Sequence, residues 1–133
     1  MRDGALNWRM PFAMPLQTGT WKINADGTLG ELVIAGVDGQ GNVTGTLTSG
    51  FAGIKSASIG GTWDEATERL ILVVNTLLTG AQTYTGFLFK DSLRMPGITG
   101  SVVFTLVGSF QVFSPPGTAD QFEFGWYAQI GVS

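Results

Sequence analysis

No histidine and no cysteine occur anywhere in this chain, so acid–base or metal chemistry would fall to its carboxylates. Asp64, Glu65 and Glu68 cluster, but they occupy a polar turn sequence, where turn formation and solubility account for them. Asp26, Asp38, Asp91 and Asp120 also lie in turn sequences. Glu31 and Glu123 fall within strand-like stretches, and neither has a companion carboxylate. A glycosidase or aspartic-protease site needs two carboxyls that converge. Serines and threonines are plentiful, yet a hydroxyl without an adjacent base is a poor nucleophile. The glycine-rich stretches are not followed by a helix, as a phosphate-binding loop requires. These residues therefore predict no catalytic group, no metal site and no cofactor.

The aromatic residues are more informative. In a small barrel they first of all fill the interior. The functional alternative is that some line an open end, where Asn24, Ser49, Asn75, Gln82 and Gln129 could hydrogen-bond a small apolar ligand. The candidate ligand-binding set is Trp21, Asn24, Ser49, Trp63, Asn75, Gln82, Tyr84 and Trp126.

The elements that must position these residues are strands. From Gln17 onward the hydrophobic period is two, and turn signals recur at short intervals. Strands are expected at about 17–24, 28–36, 42–49, 55–63, 68–76, 82–90, 102–113 and 121–131. Ala25-Asp26-Gly27 and Asp38-Gly39-Gln40-Gly41 mark tight turns, because Asp-Gly supplies positive φ cheaply. At most one short helical turn is expected, near 64–67 or 91–95. Residues 1–16 read as an N-terminal arm interrupted by Pro11 and Pro15, and residues 17–133 as a single β-barrel domain.

Glycine spacing argues for closure. Gly19/Trp21, Gly45/Leu47, Gly61/Trp63, Gly86/Leu88, Gly108/Phe110 and Gly125/Tyr127 each put an empty position beside a bulky one on the same strand face. A closed barrel needs such gaps, because its strands coil and its interior is crowded. The stretches 19–47 and 61–88 also form a weak repeat, each a Gly-Thr-Trp strand, a hairpin and a Thr-Gly strand. The expected fold is all-β, an eight-stranded antiparallel up-and-down meander barrel.

Composition narrows the partners. The 133 residues suit one domain, and charged residues make up 13%, about half the usual share. The net charge is −3 and no basic stripe exists, which argues against nucleic acid. No apolar run reaches the ~20 residues of a membrane-spanning helix, and the N-terminus lacks a signal-peptide pattern. The expected location is cytoplasmic, a removed leader aside. Leu70–Val74 and the stretch Val102, Val103, Phe104, Leu106, Val107 are apolar on both faces. Their outer faces should be covered, either by a second subunit or by the arm, and a homodimer or homotetramer is expected.

Several segments resemble the avidin and streptavidin family. Thr18-Gly19-Thr20-Trp21 is similar to its opening strand, and Val37-Asp38-Gly39 with Val43-Thr44-Gly45-Thr46 to its second hairpin. Ile59-Gly60-Gly61-Thr62-Trp63 and Tyr84-Thr85-Gly86 resemble its fourth and sixth strands. The resemblance spans most of 18–131 and implies a streptavidin-like barrel. It also implies a biotin pocket of polar side chains and tryptophans, which this chain matches thinly. Ile23 stands where a polar Asn is implied, Leu47 where a Tyr is, and Tyr84 where a Trp is; Ser49 alone matches. The expectation is a non-enzymatic oligomeric barrel that takes a small apolar molecule other than biotin. Two alternatives are an interaction module, protease-inhibitor-like or lectin-like, acting through loops 50–55, 91–100 and 114–120, and a cyclase or isomerase working by shape.

Overall fold

The computed structural model describes residues 15–49, 56–76, 80–90, 93–113 and 121–133. Eight strands follow one another in chain order: β1 (Gly19–Ala25), β2 (Thr28–Val37), β3 (Asn42–Ser49), β4 (Ala57–Asp64), β5 (Arg69–Thr76), β6 (Gly80–Lys90), β7 (Val102–Phe113) and β8 (Gln121–Val132). Each pairs antiparallel with the next, and β8 returns to β1 through Lys22↔Gln129, Ile23↔Ala128, Asn24↔Tyr127 and Ala25↔Trp126. The sheet is therefore a closed meander barrel, with no free edge strand. The connections β1–β2, β3–β4, β5–β6 and β7–β8 lie at one end, here the upper end. Those of β2–β3, β4–β5 and β6–β7 lie at the lower end.

The turns form for local reasons. Asp26 (φ 51°) and Gly27 (φ 86°) both take the positive φ that a tight two-residue hairpin demands. Asn24 Oδ1 accepts the Gly27 N–H at 2.7 Å and fixes that turn. At the lower end Asp38 Oδ1 accepts the N–H groups of Gln40 and Asn42, each at 2.8 Å, while Oδ2 accepts from Asn42 Nδ2 at 2.9 Å. These hydrogen bonds, led by that of the Asn42 side chain, hold the Asp38 carboxyl below its usual pKa. The helical turn expected near 64–67 is a non-helical turn. Asp64 Oδ1 takes the Ala66 N–H at 3.0 Å, and Glu68 at φ 55° turns the chain back into β5. None of the described residues is helical, and no helix is long and apolar enough to cross a membrane.

Inward positions alternate along every strand, as a period of two requires. Trp21, Ile23, Leu32, Ile34, Leu47, Leu70, Leu72, Tyr84, Leu106 and Phe110 are all nearly inaccessible and occupy the barrel interior. Burying side chains of this size stabilises the barrel by roughly 1.5–3 kcal/mol each before chain entropy is counted. The glycines in this interior mark where strands press together. A Cβ on Gly108 would overlap the Thr85 carbonyl oxygen, and one on Gly86 would stand 2.6 Å from Cζ2 of Trp126. The sequence reading placed six Gly-then-bulky pairs on one pattern; the ladder separates them. Gly125 pairs with Ser109, and Tyr127 is 40% exposed, so that pair faces outward. The bulky neighbour on the inner face is Trp126.

The outer face of β7 is covered in part from within the chain. Val103 and Thr105 alternate with inward residues and so face outward, yet they are only 2% and 4% exposed. Among the described residues the chain's own β6–β7 connection lies over this face, and residues 1–14 of the expected arm lie outside the described residues. Residues 93–101 run across the outside of β7, β8 and β1, and the Thr99 carbonyl and Ile98 occupy the space a side chain at Gly131 would fill. Val73, Phe87, Phe89 and Val107 remain exposed on the outer faces of β5 to β7.

Candidate functional site

The candidate site sits in the interior, on the upper halves of β6, β7 and β8. Tyr84 stacks on Phe110 with ring centroids 4.5 Å apart and 9° between planes. Trp126 meets Tyr84 edge-on at 5.6 Å, and Phe124 leans on Phe110 at 5.4 Å. Register alone brings these rings together, because Tyr84↔Phe110 and Phe110↔Phe124 are direct cross-strand partners. Trp126 needs a further device. Its ring crosses to β6 over Gly86, which faces Gly108 across the ladder, and a side chain at Gly86 would displace it. Its Nε1–H is satisfied there by the carbonyls of Ser109 (3.0 Å) and Thr85 (3.1 Å).

One polar side chain enters this aromatic cluster. Gln82 is fully buried, two positions before Tyr84 and therefore on the same face. Its Oε1 accepts the Tyr84 hydroxyl proton at 2.9 Å. Burial pushes the Tyr84 phenol well above its ordinary pKa, so it stays protonated as the donor. Gln82 Nε2, in contrast, is buried and has no acceptor among the described residues. A buried amide N–H without an acceptor costs about 1–3 kcal/mol, and an acceptor brought to it would recover that.

The sequence-derived set therefore divides. Gln82, Tyr84 and Trp126 come together. Trp21 is buried on β1, with Nε1 donating to the Gln17 carbonyl at 3.0 Å. Trp63 is buried near the end of β4 beside the lower turns, and its Nε1 has no partner among the described residues. It borders a groove of about 470 Å3 with Asp38, Asp64 and Glu65. Asn24 alternates with the inward Ile23 and Ala25; besides holding Gly27, it donates from Nδ2 to the Tyr127 hydroxyl at 3.4 Å on the outside. Ser49 and Asn75 pair with Gly30 and Ala81 in their ladders, and their side chains lie outside the described residues. So do loop residues 50–55, 91–92 and 114–120.

Gln129, read as a further ligand donor, faces outward instead. Its Oε1 accepts the Met95 N–H, and its Nε2 donates to the Leu93 carbonyl and to Thr105 Oγ1 at 2.9 Å. It clasps the β6–β7 connection against the barrel wall. With Lys22 Nζ donating to the Pro96 carbonyl at 2.8 Å, it fixes one wall of an outer groove of about 570 Å3. Sequence reasoning missed this groove because the clasp's partners lie 24 to 36 residues away along the chain.

A low-affinity mutant of shwanavidin is a solved structure similar to this one. The likeness covers 90% of this chain and 99% of that chain, with a TM-score of 0.60. This chain has the avidin-like fold. Sequence identity is 14%, so the likeness speaks to the barrel and leaves the pocket to be read from its own residues. No protein-family model matches the chain, and no curated protein matches it. Where the family resemblance implies hydrogen-bonding groups, Ile23 and Leu47 are buried hydrocarbon, each 1% exposed.

Proposed function

We propose that this protein is a non-enzymatic, self-associating barrel that binds a small, largely apolar molecule carrying one hydrogen-bond acceptor. The observation that carries this reading is the idle Gln82 Nε2 amid the Tyr84, Phe110 and Trp126 rings. Aromatic faces supply area and shape, and a single placed donor supplies orientation. The ligand enters from the upper end, with its acceptor on Gln82 Nε2 and its apolar body against the rings. A urea head is a poor fit, because Ile23 and Leu47 offer it nothing to bond. Self-association rests on Val73, Phe87 and Phe89, which are 36%, 45% and 50% exposed on adjacent strands β5 and β6.

Native mass spectrometry of protein purified from its own host tests both parts. The expected spectrum is a dimer or tetramer retaining one small molecule per subunit, with the adduct absent from Gln82→Leu. A monomer would remove the self-association, and a wild-type multimer without adduct would remove the ligand. Titration with biotin should give no tight binding; submicromolar affinity would overturn the reading of the pocket.

A further inference from the structure

The outer groove beside the β6–β7 connection is preformed. Gln129 and Lys22 pin residues 93–96 at three backbone carbonyl or amide groups, so its walls exist before anything enters. Leu93, Met95, Pro96, Val107 and Tyr127 line it, and its volume of about 570 Å3 lies within the ordinary range for small-ligand sites. Leu93 is 94% exposed and Val107 44%, so the apolar lining is open to solvent.

The charge around this groove is opposite to that of the molecule. The chain carries −3 overall, yet among the described residues no carboxylate lines the groove. Arg94 sits on its wall, exposed and with no hydrogen-bond or ion-pair partner among the described residues. Lys22 is the ladder partner of Gln129 on the groove floor, and Arg69 that of Phe87, which pairs in turn with Val107. An apolar trough with a free guanidinium at its rim suits an anion on a hydrocarbon body.

We infer that this groove is a second binding site, outside the barrel, for a small amphipathic carboxylate whose apolar body lies on Val107, Tyr127 and Met95 and whose anionic head pairs with Arg94. It does not depend on the interior site. Dodecanoate is the probe, titrated calorimetrically into the full chain at neutral pH and low salt. One dodecanoate should bind per chain. Arg94→Ala should weaken it about tenfold, Arg94→Lys should restore part of the loss, and added salt should weaken the wild type more than Arg94→Ala. Dodecyltrimethylammonium should not bind, and Gln82→Leu should leave the affinity unchanged. Absence of dodecanoate binding, indifference to Arg94, or equal binding of the cationic amphiphile would each overturn the inference. Loss of binding in Gln82→Leu with Arg94→Ala unaffected would assign the dodecanoate to the barrel interior instead, and so favour that site at this one's expense.

Discussion

Gln82 and Gln129 are the same residue type, 0% and 2% exposed, on opposite faces of the barrel wall. Gln129 uses both ends of its amide, accepting from Met95 and donating to Leu93 and Thr105. Gln82 uses one end and leaves the other idle. A satisfied buried amide is a structural clamp, because its net contribution is favourable once every group is paired. A half-satisfied one subtracts from stability, and the protein carries that cost wherever it retains such a residue. The contrast separates a residue that holds the fold from one that is free to hold something else.

Breaking the clamp should have the largest effect. Gln129→Leu removes both of Gln129's bonds to the β6–β7 connection and strands the Met95 N–H, leaving Lys22 to pin it at Pro96. The expected loss is about 3 kcal/mol in urea unfolding, with the outer groove opened. Tyr84→Phe should cost less, about 1 kcal/mol, because the stacked ring stays and only the bond to Gln82 Oε1 goes. Gln82→Leu should be close to neutral, within about 1 kcal/mol of wild type and on either side of it, since the cost of stranding the Tyr84 hydroxyl is offset by removing the buried, half-paired amide. Thermal or urea unfolding of each variant at matched protein concentration checks these values.

The smallest effect sharpens the contrast by adding charge. Neither glutamine titrates, so neither makes stability depend on pH. Asp38 does, because its folded pKa lies below the ordinary 3.8. Its stabilising contribution is complete above that ordinary value and is lost as pH falls through the lower, folded one. Asp38→Asn should therefore flatten the acid side of the stability profile, while Gln82→Leu and Gln129→Leu leave its shape unchanged. Unfolding midpoints collected from neutral to strongly acidic pH would show this.

The strands were legible in the sequence because period-two alternation and Asp-Gly turns are local signals. β2, β3 and β5 fall within a residue of the expected bounds, and β6 begins two residues earlier, at Gly80. The inward glycines were legible for the same reason. Gly125 misled because Trp126 and Tyr127 are adjacent and both bulky, and alternation does not say which face is which. Gln82 and Tyr84 could be placed together, being two apart on one strand. The roles of the glutamines could not be read, since Gln129 is satisfied by residues far along the chain and Gln82 is marked by an acceptor that is missing. Composition counts amides; only the packed fold shows which of their atoms are occupied.

Urea unfolding of Gln82→Leu beside Gln129→Leu tests the central contrast most directly. A loss of about 3 kcal/mol for Gln129→Leu against little change for Gln82→Leu is the expected result. Equal, large losses in both would mean that Gln82 is as fully engaged as Gln129, and would contradict the idle amide on which the ligand site rests.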